Sequence, residues 1–290
     1  MKAEVEVLHP GLFSSIQDGG RFGYRKYGVP QSGPMDNAAS ALANLLLQQE
    51  RDTAVMEITL QGPKLKFLCP TQIVITGASL SPRLDEEELR NNRVYSVSAG
   101  QVLSFGKRIS GSRAYLSIKN GFKTEEVLRS LSWSPGITQF SRLEKGMKLP
   151  FLGVNEKSIS SLSSVGELDH LASEIVEAFP GPEFHLLSTT EKNMLQKSHF
   201  SVGRNSNRMG IQFEEELKNN LEPIITAPVI PGTVQLTPSG KIIALMRDCQ
   251  TTGGYPRILQ LSEAGINVLA QKVPGEKIRI KLIKYLKEVN

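Results

Sequence analysis

The chain has 290 residues, 39% of them hydrophobic and 22% charged, with a formal net charge of +5. That length buries a sizeable core and fits about two domains, and the composition excludes a disordered chain. No apolar run approaches the roughly 18 to 20 residues that span a bilayer, and no Arg/Lys-rich tract with interleaved aromatics marks a nucleic-acid surface. The first residues, Met1 to Val7, alternate polar and apolar like a strand and lack the apolar stretch of a secretory signal, so a cytoplasmic protein is expected. Cys69 and Cys249 lie far apart and His9, His170, His185 and His199 are scattered, without the spacings of a zinc site.

Taken in order, residues 3–8, 72–76, 93–98, 102–105 and 113–119 carry the alternating or β-branched character of half-buried strands. One helix interrupts them: Asp36 is an N-cap, and Ala39, Leu42, Ala43 and Leu46 recur at helical spacing. The texture then changes to Ser158-Ile159-Ser160-Ser161-Leu162-Ser163-Ser164 and, further on, Phe179-Pro180-Gly181-Pro182, which reads as a connector. Beyond it, 183–187 reads as a strand, and Ser188 with Glu191 forms a capping box for a helix through Lys197. Strands are expected again at 200–202, 233–236, 241–246 and 277–283, with a last helix at 262–271. Short strands with isolated helices and no regular strand–helix alternation predict a mainly β architecture built of closed or nearly closed barrels. The expected domains are 1–152, a connector at 153–182, and 183–290.

Three polar stretches stand out. The first runs Gln17-Asp18-Gly19-Gly20-Arg21-Phe22-Gly23-Tyr24 and continues through Gly28-Val29-Pro30 to Met35-Asp36. Here Asp18 and Arg21 either staple the loop or present a guanidinium fork to a substrate carboxylate, with Gln17 and Asp18 as hydrogen-bonding partners. The second is Gly203-Arg204-Asn205-Ser206-Asn207-Arg208-Met209-Gly210, a basic hairpin or an anion site. The third, Asp248-Cys249-Gln250-Thr251-Thr252-Gly253-Gly254-Tyr255-Pro256, puts an acid, an amide and hydroxyls beside two glycines whose backbone freedom allows close approach to a ligand. Ser130 and Ser132 beside Trp133 form a weaker candidate loop. No phosphate loop, dinucleotide fingerprint or Gly-x-Ser-x-Gly elbow is present. The inventory of amide, hydroxyl, carboxylate and guanidinium groups suits a polar amide-like or carboxylate-bearing molecule.

These stretches, with His9-Pro10-Gly11-Leu12, Asn44, Glu57, Gly62-Pro63, Thr76-Gly77-Ala78, Gly111 to Leu116, Pro231-Gly232-Thr233-Val234-Gln235 and Ala270-Gln271, resemble the family of 5-oxoprolinase C subunits, also described as allophanate hydrolase subunit 2-like or biotin-dependent carboxyltransferase proteins. The resemblance spans nearly the whole chain. It implies two cyclophilin-like β-barrel domains and work within a multi-subunit enzyme, with 5-oxoprolinase subunits A and B as partners, that opens 5-oxoproline to L-glutamate at the expense of ATP. Relatives of the family move carboxyl from carboxybiotin to a urea-like amide, and others act as regulatory binding proteins. ATP would be shared with or supplied by the partner subunits, and biotin, if used, would arrive on another chain, because no Ala-Met-Lys-Met-type attachment site is present.

The resemblance implies a substrate site formed by Gln17, Arg21, Tyr24, Arg208, Gln235, Gln250, Thr251, Thr252, Gly253 and Gly254, with Asp18, Asp248 and Tyr255 as catalytic candidates. The chain departs from the family's usual pattern at four places. Ser206-Asn207-Arg208-Met209-Gly210 replaces Ser-Asp-Arg-Met-Gly, Arg129-Ser130-Leu131-Ser132-Trp133-Ser134 replaces a Gly-Ser-Arg-Ser-Thr-Asp-type loop, Asn120-Gly121 replaces Gly-Gly, and Gly146-Met147 replaces Gly-Asp.

Overall fold

The computed structural model describes residues 2–153, 166 and 168–284. The serine-rich stretch 158–164 lies outside the described residues. The chain divides into two compact units, one of residues 1–22 and 32–171, the other of residues 23–31 and 172–290. The second unit thus takes in a short early segment that the sequence pattern assigns to the N-terminal domain.

In the first unit the strands are β1 (Lys2–His9), β2 (Phe13–Gln17), β3 (Val55–Thr59), β4 (Lys64–Phe67), β5 (Thr71–Ser79), β6 (Pro82–Leu84), β7 (Glu87–Glu88), β8 (Val94–Val97), β9 (Val102–Phe105), β10 (Ser110–Ile118) and β11 (Lys148–Leu152). They form a six-stranded sheet, β11-β1-β4-β9-β6-β7, and a five-stranded sheet, β2-β3-β10-β5-β8. Alternation explains the packing: Ala3, Val5 and Val7 of β1 and Leu149 and Phe151 of β11 turn inward to meet Ile16, Met56, Ile58, Ile75 and Leu116 from the other sheet in one core. Helix α1 (Asn37–Leu46) starts where the sequence places it, with an Asp36 carboxylate oxygen accepting the Ala39 amide at 3.0 Å. Its apolar face covers β5 and β10, Ala43 and Leu46 packing on Val74 and Ala39 on Tyr115.

The second unit is a closed barrel of β12 (Ile175–Pro180), β13 (His199–Ser206), β14 (Gly210–Glu216), β16 (Thr233–Leu236), β17 (Lys241–Leu245), β19 (Arg257–Leu261) and β20 (Lys277–Leu282), while β15 (Ala227–Pro228) and β18 (Thr252–Gly253) pair as a separate ribbon. Around the barrel the order is β12-β19-β16-β17-β14-β13-β20, and the parallel pairing of β12 with β20, Val176 opposite Ile280, completes the ring. Closure leaves no unpaired sheet edge. Helix α2 (Thr189–Lys197) packs against β20 and α3 (Glu263–Ala270), buried from Gly265 to Ala270, against β12 and β19, the former with the expected Ser188–Glu191 capping box and the latter capped by Ser262 on the Gly265 amide. Among the described residues no helix is long and apolar enough to cross a membrane.

Two expectations are corrected here. Residues 175–180, read as part of the connector, form a barrel strand, because Val176 and Ala178 alternate inward and the Pro180-Gly181-Pro182 run ends the strand rather than starting a domain. The segment at 183–187, read as a strand, contains a tight 3-10 turn, Phe184–Leu186. The Glu183 carboxylate forks onto the Arg257 guanidinium at 2.8 and 3.0 Å and also takes the Arg257 amide, which fixes the turn against β19. Arg257 holds that carboxyl below its ordinary range, against a smaller opposing effect of burial.

Candidate functional site

In the second unit, the run leaving β17 carries a cluster of exposed polar groups. Asp248 and Cys249 are buried, Gln250 and Thr252 are exposed, Thr251 is half-buried, and the Tyr255 ring is 41% exposed. Backbone bonds set the curve of the run: the Val229 amide donates to the Thr251 carbonyl at 3.1 Å, the Ile224 amide to Gly254 at 2.9 Å, and the Leu236 amide to Pro256 at 3.0 Å. Neither Gly253 nor Gly254 lies in the left-handed region. Gly253 is required for space instead, since a Cβ there would sit 2.4 Å from Nε2 of Gln235. That amide, on a residue 2% exposed, points toward the Tyr255 carbonyl at 3.5 Å.

Two guanidinium groups support this run from beneath. Arg208, in the turn between β13 and β14, forks onto Asp248, Nε to Oδ2 at 2.7 Å and Nη2 to Oδ1 at 3.1 Å, and the Asp248 amide donates to the Arg208 carbonyl at 2.9 Å. Arg25, on the 3-10 turn Arg25–Tyr27 that follows the half-buried Tyr24, donates to the Val229 carbonyl. Its charge also acts on the Cys249 thiol, which burial pushes up to about 11 despite that opposing pull.

The first unit holds its own polar centre. Asp18 accepts from the hydroxyls of Ser130 and Ser132 at 2.6 Å each, and from the amides of Leu131 at 2.6 Å and Gly20 at 3.0 Å. Arg21, 1% exposed, donates Nε to the Val127 carbonyl at 3.2 Å and Nη2 to the Ser132 carbonyl. Gln17 bridges the Trp133 carbonyl, the Ser15 hydroxyl and the Gly33 amide. Deeper, the fully buried Glu57 accepts from the Tyr115 hydroxyl at 3.0 Å and the Met35 amide at 2.7 Å. The Tyr115 oxygen in turn accepts the Asp36 amide at 2.8 Å, and His170 Nε2 meets an Asp36 carboxylate oxygen at 2.7 Å. Burial first, then the Glu57 and Asp36 charges, raise the Tyr115 phenol well above its usual range, so it stays a neutral donor.

The family described as carboxyltransferase domain, subdomain A and B, matches residues 27–282. The chain belongs to this carboxyltransferase family. It is 30% identical to the 5-oxoprolinase C subunit of Escherichia coli over 94% of this chain and 89% of that one, and 30% identical to the 5-oxoprolinase C subunit of Haemophilus influenzae over 96% and 91%. Among solved structures, the urea carboxylase of Kluyveromyces lactis superposes with a TM-score of 0.86 at 29% identity, covering 97% of this chain and 27% of that larger one.

Within this carboxyltransferase-family chain the candidate residues fall into two clusters, one in each unit. Gln250, Thr251, Thr252 and Tyr255 share one exposed run, with Gly253, Gly254 and Gln235 behind it. Gln17, Asp18 and Arg21 come together on the loop at residues 127–134. Arg21 and Arg208, read as forks for a substrate carboxylate, are buried against two carbonyls and against Asp248, respectively. Asp18 and Asp248, expected as catalytic candidates that orient a group or accept a proton, have both carboxylate oxygens engaged by protein donors. Sequence reasoning missed Arg25 and His170. A signal for Arg25 existed, a cation inside the glycine-rich stretch, whereas the lone His170 carries none without its partner Asp36.

Proposed function

We propose that the chain is the carboxyltransferase-family subunit of an ATP-dependent 5-oxoprolinase that, together with subunits A and B, opens 5-oxoproline to L-glutamate. The observation that carries this reading is the nearly end-to-end match to chains named as the C subunit of 5-oxoprolinase, which leaves almost no part of either chain outside the match. Opening the lactam adds one water across the ring amide. The site must therefore polarise an unreactive carbonyl and hand a proton to the departing nitrogen.

The exposed run offers the groups for this. Gln250 and Thr251 hydrogen-bond the substrate amide, backbone around Gly253-Gly254 allows close approach, and the Tyr255 hydroxyl supplies the proton. Asp248, locked by Arg208, keeps the run in shape. ATP belongs to the partner subunits in this reading, since the chain has no phosphate-loop motif; when bound there it supplies the driving force for ring opening. The test is coexpression with subunits A and B and measurement of glutamate release that depends on both ATP and 5-oxoproline. Release that needs this chain, and falls by about 100-fold with Tyr255→Phe and Thr251→Ala in an intact complex, is the expected result. An intact complex that releases no glutamate overturns the reading.

A second reading, carboxyl transfer from carboxybiotin to a urea-like amide, draws support from the likeness to the Kluyveromyces lactis urea carboxylase. Biotin would then be carried by another chain. Carboxylated product formed on adding a biotin carboxylase and its carrier, without glutamate release from 5-oxoproline, would select it.

A further inference from the structure

The first unit contains a cavity of about 400 Å³ that shares Trp133 with the Gln17 cluster and is otherwise lined by residues outside the polar clusters above. It lies beside the outer face of β11, where the Lys123 amide donates to the Pro150 carbonyl at 2.8 Å and Phe122 bridges to Phe151. Its volume falls within the roughly 300–1,000 Å³ of small-molecule pockets. One wall is aromatic: Trp133, 4% exposed, and Phe140, 37% exposed, stand with ring centroids 5.9 Å apart at 46°, and Met147 and Leu149 extend the apolar surface.

The polar lining is asymmetric. Lys123 and Lys148 are exposed lining residues, faced by the single acid Glu125, so the lining carries one positive charge in excess. Thr124, half-buried, also lines the cavity. The aromatic wall and the net single positive charge together define the chemistry of a ligand.

We propose that this cavity binds a small aromatic monocarboxylate, its ring packed on Trp133 and Phe140 and its carboxylate accepting from the Lys123 and Lys148 ammonium groups. The site is independent of the 5-oxoprolinase reading.

Trp133 is the only tryptophan of the chain, so its emission reports on the pocket directly. The full chain is titrated with benzoate and, in parallel, with benzamide as a neutral analogue of the same shape. Benzoate is expected to change Trp133 emission along a saturable curve and benzamide to bind about tenfold more weakly. Lys123→Gln and Lys148→Gln, both on exposed side chains, are each expected to weaken benzoate by about fivefold. Linear, non-saturating quenching, equal binding of benzamide, or unchanged affinity in the double lysine variant overturns the proposal.

Discussion

Arg208 and Asp248 close a two-point ion pair, Nε to Oδ2 at 2.7 Å and Nη2 to Oδ1 at 3.1 Å, with each residue only 8% exposed. This pair ties the β13–β14 turn to the start of the run that carries Gln250, Thr251 and Tyr255. Removing one partner takes a two-point ion pair away from the other buried charge, so Asp248→Asn is expected to destabilise the protein by about 3 kcal/mol. Arg208→Met is expected to cost a similar amount. Combining the two should recover a large part of the loss, because neither buried charge of the pair then remains. Urea midpoints of the single and double variants measure this coupling directly. Additive losses would show that the pair is not an energetic unit.

Asp18 organises the loop at residues 127–134 by accepting from two hydroxyls and from the Leu131 amide. Asp18→Asn turns one acceptor oxygen into a donor that opposes either the Leu131 N–H or the serine hydroxyls. A cost of about 1–3 kcal/mol follows, confined to that loop. Amide exchange at Leu131 is expected to accelerate while exchange in barrel strands β16 and β17 stays unchanged. Ser130→Ala and Ser132→Ala should each produce a smaller version of the same local effect.

Gly253 and Gln235 occupy space that admits only one side chain, a Cβ at 253 lying 2.4 Å from the Gln235 amide nitrogen. Gly253→Ala should therefore displace the Gln235 amide from the Tyr255 carbonyl and cost about 1–3 kcal/mol through overpacking. Because the clash is with the end of a side chain, Gln235→Ala is expected to relieve it. The double variant should regain stability relative to Gly253→Ala but not the substrate affinity of the parent complex. A Gly253→Ala protein with unchanged stability and unchanged KM would show that Gln235 moves aside at no cost.

What the sequence discloses follows the range of the interaction behind each feature. The Asp36 cap and the Ser188–Glu191 box are legible because each closes within three residues. Residues 233–236 and 241–246 are legible as strands because alternation is local. The partners of Asp18 lie up to 114 residues away and Asp248 is 40 residues from Arg208, so only the fold shows that these acids are already engaged. Strand β12 is hidden for a different reason: its partners, β19 and β20, come much later in the chain, and the Pro180-Gly181-Pro182 run obscures its end. Gly253 and Gly254 are legible as special positions, but not that a buried amide, rather than a backbone angle, demands Gly253.

Cys249 predicts how stability responds to alkali. Burial raises its thiol from the usual range to about 11, Asp248 adding to the effect and Arg25 opposing it. In the unfolded chain the same thiol ionises near about 8.5. The folded value is the higher one, so the folded state holds its proton more tightly. The associated stability is complete below the unfolded value and is lost progressively as pH rises toward 11, to a total of about 3 kcal/mol. Tyr115, also raised by burial, contributes in the same direction but only above about pH 10, where free phenols ionise. The interval between about pH 8.5 and 10 therefore belongs to Cys249 among these two groups. Urea midpoints measured across that interval are expected to fall for the parent and to fall distinctly less for Cys249→Ala, which has no thiol to ionise on unfolding. Parallel slopes for the two proteins would mean that the Cys249 thiol ionises as readily in the folded chain as in the unfolded one.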